Sequence, residues 1–140
     1  NRFKVKVGNM NSLPYSDNEF EAIHSHNVIE HLNIEDAYSM LLEIYRVLSP
    51  GGLIVISSEL VTCKFWHTFG HVKPYPPEAL IKLLRSESRE KFEGISGLEP
   101  IGLFYFGNYF KNKVLYFLSI LISYYLPLGR REYFLVLKKI

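Results

Sequence analysis

The chain has 140 residues, enough for one domain with a single core, and its 48% apolar and 21% charged content is ordinary for a soluble globular protein. A net charge of +2 is too small to argue for nucleic acid or an acidic membrane surface, and no basic patch interleaved with aromatics is present. The single cysteine, Cys63, excludes an internal disulfide and fits a reducing, cytoplasmic compartment, and no Cys/His zinc spacing occurs.

Residues 3–7, FKVKV, alternate apolar and basic, which predicts a half-buried strand. The Gly-, Asn-, Ser- and Pro-rich stretch GNMNSLPYSDNEF reads as loop, and EAIHS as a second short strand. After NVIEHL (27–32) a helix begins. Asn33 is its expected N-cap, with Asp36 in a capping-box-like position. Ala37, Leu41, Ile44, Tyr45 and Leu48 fall on one helical face. SPGG (49–52) stops the helix. LIVIS (53–57) is a β-branched run suited to a strand buried on both faces, as in a parallel sheet.

A long loop is expected from Glu59 to Pro76, then a helix from Pro77 carrying Leu80, Leu83 and Leu84. LEPIGLFYFG and REYFLVLKK are the last strands, close enough in sequence to form an antiparallel edge. Between them lies VLYFLSILISYYLPL (114–128). As a helix it would span ~22 Å, short of the ~20 residues a bilayer requires. It reads first as a buried or half-buried helix. The alternative is an interfacial helix or a lid over a lipophilic substrate, since Lys111, Lys113, Arg130 and Arg131 flank it. Strands alternating with helices give an α/β class with a mainly parallel sheet.

Three pieces in order, VGNMNSLPYSDNEFEAIHSHNVIEHL, EIYRVLSPGGLIVIS and HVKPYPPEALIKLL, resemble the class I S-adenosylmethionine-dependent methyltransferases, in the small-molecule group of the ubiquinone/menaquinone pathway. PGG alone would carry nothing, but LPYSDNEF paired with RVLSPGG is specific. The resemblance implies a Rossmann-like sheet with the family strand order 3-2-1-4-5-7-6, incomplete here at its N-terminal side and antiparallel at its C-terminal edge. Residues 1–140 then form the C-terminal part of a single methyltransferase domain, from the third strand onward, with an apolar insertion at about 108–129. The family's G-x-G-x-G turn, and the acidic residue that holds the ribose, would lie upstream of Asn1. The strand at 3–7 would lack its neighbours, so these 140 residues alone are expected neither to bind the cofactor well nor to fold robustly.

The resemblance also implies residue roles. Cofactor sites in open α/β sheets lie outside the carboxyl ends of the strands. Asn9 would bond the adenine amino group, Met10 would lend a backbone N–H and an apolar wall, and His26 would meet the methionine part of S-adenosylmethionine. His31 is the candidate to face the acceptor and act in catalysis. His67, His71 and Tyr75 are weaker candidates for a base. Phe65 and Trp66 either line the acceptor pocket or cap the core. His24, Leu13, Pro14, Asp17, Asn18 and Phe20 are expected to be structural.

Some relatives bind a divalent metal through an E-x-x-E-H stretch at the place of NVIEHL. Here Asn27 replaces the first carboxylate, which leaves Glu30 and His31, with His67 or His71 as a further donor. The expectation is therefore no metal, with Glu30 structural.

The function so implied is methyl transfer to a small-molecule acceptor, lipid- or glycan-linked if residues 114–128 bear on it, with peripheral membrane contact through that segment. No nucleic-acid partner is expected. The alternative is a catalytically silent methyltransferase-like binding module or inactive fragment. Another Rossmann-like enzyme, such as a dehydrogenase, fits the LPYSDNEF–RVLSPGG pairing poorly.

Overall fold

The computed structural model describes residues 5–63, 65–85, 92–107, 112–125 and 129–140. In chain order the elements are β1 (Phe20–His26), α1 (Ile34–Val47), β2 (Leu48–Glu59), α2 (Pro77–Leu84), β3 (Leu98–Phe106), α3 (Lys113–Tyr125) and β4 (Glu132–Lys139), with single 3-10 turns at Ile29–His31 and Phe65–His67. The strands form one open sheet in the order β1-β2-β4-β3. β1 and β2 are parallel, and β4 is antiparallel to both β2 and β3. This is the 4-5-7-6 side of the sheet that the resemblance implies, with the antiparallel edge made by the last two strands.

The core gathers on one face. Ile54 and Ile56 of β2 lie opposite Leu137 and Leu135 of β4 and pack with Ala37, Met40, Leu41 and Ile44 of α1 and Leu80 and Leu84 of α2. The helical face read from sequence is buried apart from Tyr45, which is partly buried against the same cluster. The period of 2 then sends His24, His26, Val55 and Phe134 to the other face.

α1 is held at both ends. Asn33 Oδ1 accepts from the N–H of Asp36 at 2.8 Å, as expected of an N-cap. At the other end the buried Lys139 ammonium donates to the carbonyls of Tyr45 and Leu48, at 2.6 and 2.7 Å, and to Asn18 Oδ1 at 2.9 Å. A cation on the free carbonyls of a helix end is favourable both as a hydrogen-bond donor and against the helix dipole.

Three sequence expectations need correction. Residues 5–7 belong to no strand, and Val5 and Val7 are 90% and 99% exposed, because no strand lies beside them among the described residues to complete a ladder. SPGG stops α1 but lies within β2, which starts at Leu48. The register moves from Phe20↔Leu48 to Ala22↔Leu53 across a bulge that Gly51 accommodates at φ 78°. LIVIS is not buried on both faces, since Leu53 is 40% exposed while Ile54 and Ile56 are closed off beneath the helices.

The apolar segment also departs from its first reading. α3 rests against β3 through Tyr116, Ser119 and Ile120, which are half-buried, and leaves Val114, Leu115, Phe117, Leu118, Leu121 and Ile122 exposed. The apolar residues run around the helix, and one sheet edge can cover only one stripe of it. Lys111 and residues 126–128 lie outside the described residues. Among those described, no helix is long and apolar enough to cross a membrane.

Candidate functional site

The segment before β1 is a tight turn docked on α1. Asn9 Oδ1 accepts from the N–H of Asn11 at 3.0 Å, and the Ser12 N–H reaches the Asn9 carbonyl at 3.0 Å. This is an Asx turn, which uses one of the two lone pairs of the Asn9 oxygen. Asn11 lies beside it in the same recess. Its Nδ2 donates to Asp36 Oδ1 at 2.6 Å, which fixes the orientation of the amide, and its Oδ1 is buried with no partner. Gly8, Asn9, Met10, Asn11, Leu32 and Asp36 line one recess of about 580 Å³. Asn9 and Met10 are thus together, with Leu32 of NVIEHL beside them.

The rest of that loop is clamped to α1. Glu43 Oε2 accepts from the Leu13 N–H at 2.7 Å, and Arg46 donates to the Leu13 and Tyr15 carbonyls and to Asp17. The Arg46 guanidinium bonded to Glu43 holds that carboxyl below its ordinary value. Leu13, Asp17 and Asn18 (φ 58°) act in this clamp and turn, in structural roles as read from sequence.

His26 closes β1 on the face away from α1 and α2. Its Nδ1 pairs with Ser57 Oγ at 2.6 Å, its ring stacks on Phe134 at 6.2 Å, and His24 lies 5.7 Å away on the same side. It does not line the Asn9–Met10 recess. Asn27 follows at φ 50° and donates its N–H to the Ser57 carbonyl, so the chain turns away from β2 directly after the strand.

The Ile29–His31 turn brings a second cluster into being. Glu30 is fully buried. Its Oε2 accepts from Ser58 Oγ at 2.9 Å, while Oε1 has no partner. Its charge lies close enough to Tyr133 to add to the burial that pushes that phenol up. His31 Nδ1 is 2.8 Å from the Gly70 carbonyl, and His71 Nδ1 is 2.8 Å from the Phe65 carbonyl. A carbonyl can only accept, so both Nδ1 atoms carry a proton, and in the neutral ring that tautomer leaves the lone pair on Nε2. The two rings are 5.0 Å apart, and a donor atom from each of Glu30, His31 and His71 lies within 4.8 Å of the others. The loop carrying His71 is pinned here, since the N–H groups of Val72 and Lys73 both reach the Glu30 carbonyl.

On the same loop Phe65 is buried against His71, whereas Trp66, Phe69 and Val72 are exposed. Phe65 is thus closed off from solvent beneath its own loop, with Trp66 at its edge and open to solvent. Tyr75 is buried and donates to the Leu32 carbonyl at 3.1 Å, a structural bond, and His67 is exposed outside the cluster. A larger cleft of about 700 Å³ between α1 and α2 is lined by Tyr38, Lys73, Tyr75, Leu83 and Phe92 among others, but by none of Asn9, Met10, His26 and His31.

Sequence reasoning did not single out Asn11, because neither of the two amides in GNMN has a distinguishing neighbour. Glu30, read from sequence as structural, is a buried carboxylate near two imidazoles, a placement that only the folded loop shows.

The family described as "Methyltransferase domain" matches residues 1–56. The ubiquinone/menaquinone biosynthesis C-methyltransferase of Desulfotalea psychrophila is 46% identical over 50 residues, 36% of this chain and 20% of that protein. The 24-methylenesterol C-methyltransferase 2 of Oryza sativa subsp. japonica is 33% identical over 99 residues, 70% of this chain and 21% of that protein. The crystal structure of a SAM-dependent methyltransferase from Archaeoglobus fulgidus aligns with a TM-score of 0.70 at 19% identity, over 96% of this chain and 66% of that one. The matches span about a fifth of the length of these curated relatives. The fold is that of the class I S-adenosylmethionine-dependent methyltransferases, an open mixed α/β sheet with antiparallel C-terminal strands.

Proposed function

We propose that the protein transfers a methyl group from S-adenosylmethionine to a small lipophilic acceptor. The observation that carries this reading is the unpartnered, buried Asn11 Oδ1 in the recess shared with Asn9, Met10 and Leu32. An adenine presents an exocyclic N–H₂ donor on a flat apolar ring. A lone acceptor beside Met10 and Leu32 fits both features. The residues present therefore fit the adenine end of the cofactor, with Asn11 joining Asn9 in recognising the amine. His26, at the carboxyl end of β1, is the residue of this chain assigned to the methionine end.

When bound, the cofactor supplies an electrophilic methyl on a sulfonium, so alignment carries much of the rate. His31 stands one residue from Leu32 of that recess, and its free Nε2 can take a proton from an acceptor hydroxyl or activated carbon. Trp66, Phe69 and Val72 on the facing loop offer an apolar rim. The sterol methyltransferase among the relatives acts on an acceptor of this character. α3 belongs to the same reading, as an interfacial helix that keeps the site at a bilayer surface, with Lys113 at its start and Arg130 and Arg131 beyond its end.

Calorimetric titration of the full-length protein with S-adenosylmethionine tests the cofactor assignment. We expect binding that Asn11→Ala weakens by roughly tenfold, the loss of one hydrogen bond. Absence of binding overturns the reading. For the acceptor, methyl-labelled cofactor incubated with a total lipid extract should place label in the organic phase. Label recovered only in the aqueous or protein fraction overturns the lipophilic acceptor.

A further inference from the structure

We propose that the cleft of about 700 Å³ between α1 and α2 is a second binding site, for a single-chain amphiphile with an anionic head, such as a fatty carboxylate. Its volume falls within the ~300–1,000 Å³ of small-molecule sites. Its walls are apolar. Leu41 lines it from the core, while Tyr38, Leu83 and Phe92 are only half-buried. The Tyr38 and Phe92 rings meet at 4.8 Å and make one aromatic wall. Helices packed on a common core ordinarily close such a gap, because unfilled apolar surface forfeits contacts.

The charges at the cleft have one sign. Lys73 and Lys82 line it, and none of the lining residues is a carboxylate. Lys73 Nζ lies 5.6 Å over the ring of Tyr75, itself a lining residue, which holds the ammonium against the wall. Glu78 of α2 does not line the cleft and instead accepts from the Tyr105 hydroxyl at 3.0 Å. Both lysines are exposed, so their stems can extend the apolar surface while their heads stay at the water boundary. An apolar hollow with cations alone at its side is complementary to an apolar chain carrying a negative head.

The site is separate from the one assigned to methyl transfer. It shares no lining residue with the recess of Asn9 and Met10, and His31 does not line it. The inference goes beyond the methyl-transfer reading and does not rest on it.

The test is calorimetric titration of the full-length protein, free of S-adenosylmethionine, with dodecanoate and dodecyl phosphate, each below its critical micelle concentration. We expect saturation at one equivalent, and the tighter of the two names the head group. Decanoate should bind roughly tenfold more weakly than dodecanoate, since each buried methylene is worth about fourfold. Ala79 is an exposed lining residue of α2, and Ala79→Trp should abolish binding by filling the cleft. Lys73→Gln with Lys82→Gln should weaken dodecanoate roughly fivefold and leave decanol unchanged. If Ala79→Trp fails to fold, the lysine pair carries the comparison. Phe117→Glu with Leu118→Glu, on α3, should bind as wild type. Absence of binding, no saturation at one equivalent, wild-type affinity in a folded Ala79→Trp or in the lysine pair, loss in the α3 variant, or equal affinity for dodecyltrimethylammonium overturns the proposal. Cofactor binding is measured separately, so either reading can fail alone.

Discussion

Asn27 holds a left-handed backbone at φ 50° directly after β1. The turn needs a residue that tolerates that region, and Asn does so better than Glu. Asn27→Val should lower stability by about 1–2 kcal/mol in urea titrations, while Asn27→Gly, which meets no steric penalty at positive φ, should lie closer to wild type. A Val variant as stable as wild type would remove the backbone argument. The neighbouring Glu30 shows how burial and partner count reveal more than residue type. One of its oxygens accepts from Ser58 and the other is buried without a partner.

Both ends of α1 were recognisable, but the partner that closes the second was not. Asn33 and Asp36 sit three residues apart, so the cap could be read directly, and Asn33→Ala should cost about 1 kcal/mol. The closing partner, Lys139, comes from the last strand and donates to two α1-end carbonyls. Lys139→Met keeps the stem but leaves those carbonyls without it, and a loss of about 3 kcal/mol in denaturant midpoint experiments is expected. The Glu43–Arg46 clamp gives the element a pH response. Glu43 is held below its ordinary 4.5, chiefly by the Arg46 hydrogen bond, with the Leu13 N–H adding to it and burial opposing. Its folded value is depressed, so its stabilisation is present above 4.5 and is lost as pH falls through the lower folded value. Thermal melts from about pH 5 to pH 3 should show a steeper decline for wild type than for Glu43→Gln.

At the scale of the whole molecule, α3 is the exposed apolar element beside the sheet. Transfer of one exposed Phe or Leu into an acyl layer is worth about 2 kcal/mol. Phe117→Glu with Leu118→Glu should therefore abolish flotation of the full-length protein with anionic vesicles, without lowering its melting temperature, since both residues are exposed. Undiminished flotation would sink the interfacial role. What the sequence determined by itself is local: the period-2 and period-3.6 patterns of β1, α1, α2, β3 and β4, the Asn33 cap, and the LPYSDNEF–RVLSPGG signature of the methyltransferase fold. These depend on residues within a few turns of one another. The tertiary structure alone decided the rest. It left residues 5–7 and α3 uncovered, buried Asn11 Oδ1 without a partner, set Lys139 on the end of α1, and brought His71 to Glu30 and His31. Each of these depends on which distant segment lies alongside, because burial, hydrogen-bond satisfaction and ligand geometry belong to neighbours in space and leave no local pattern in the chain.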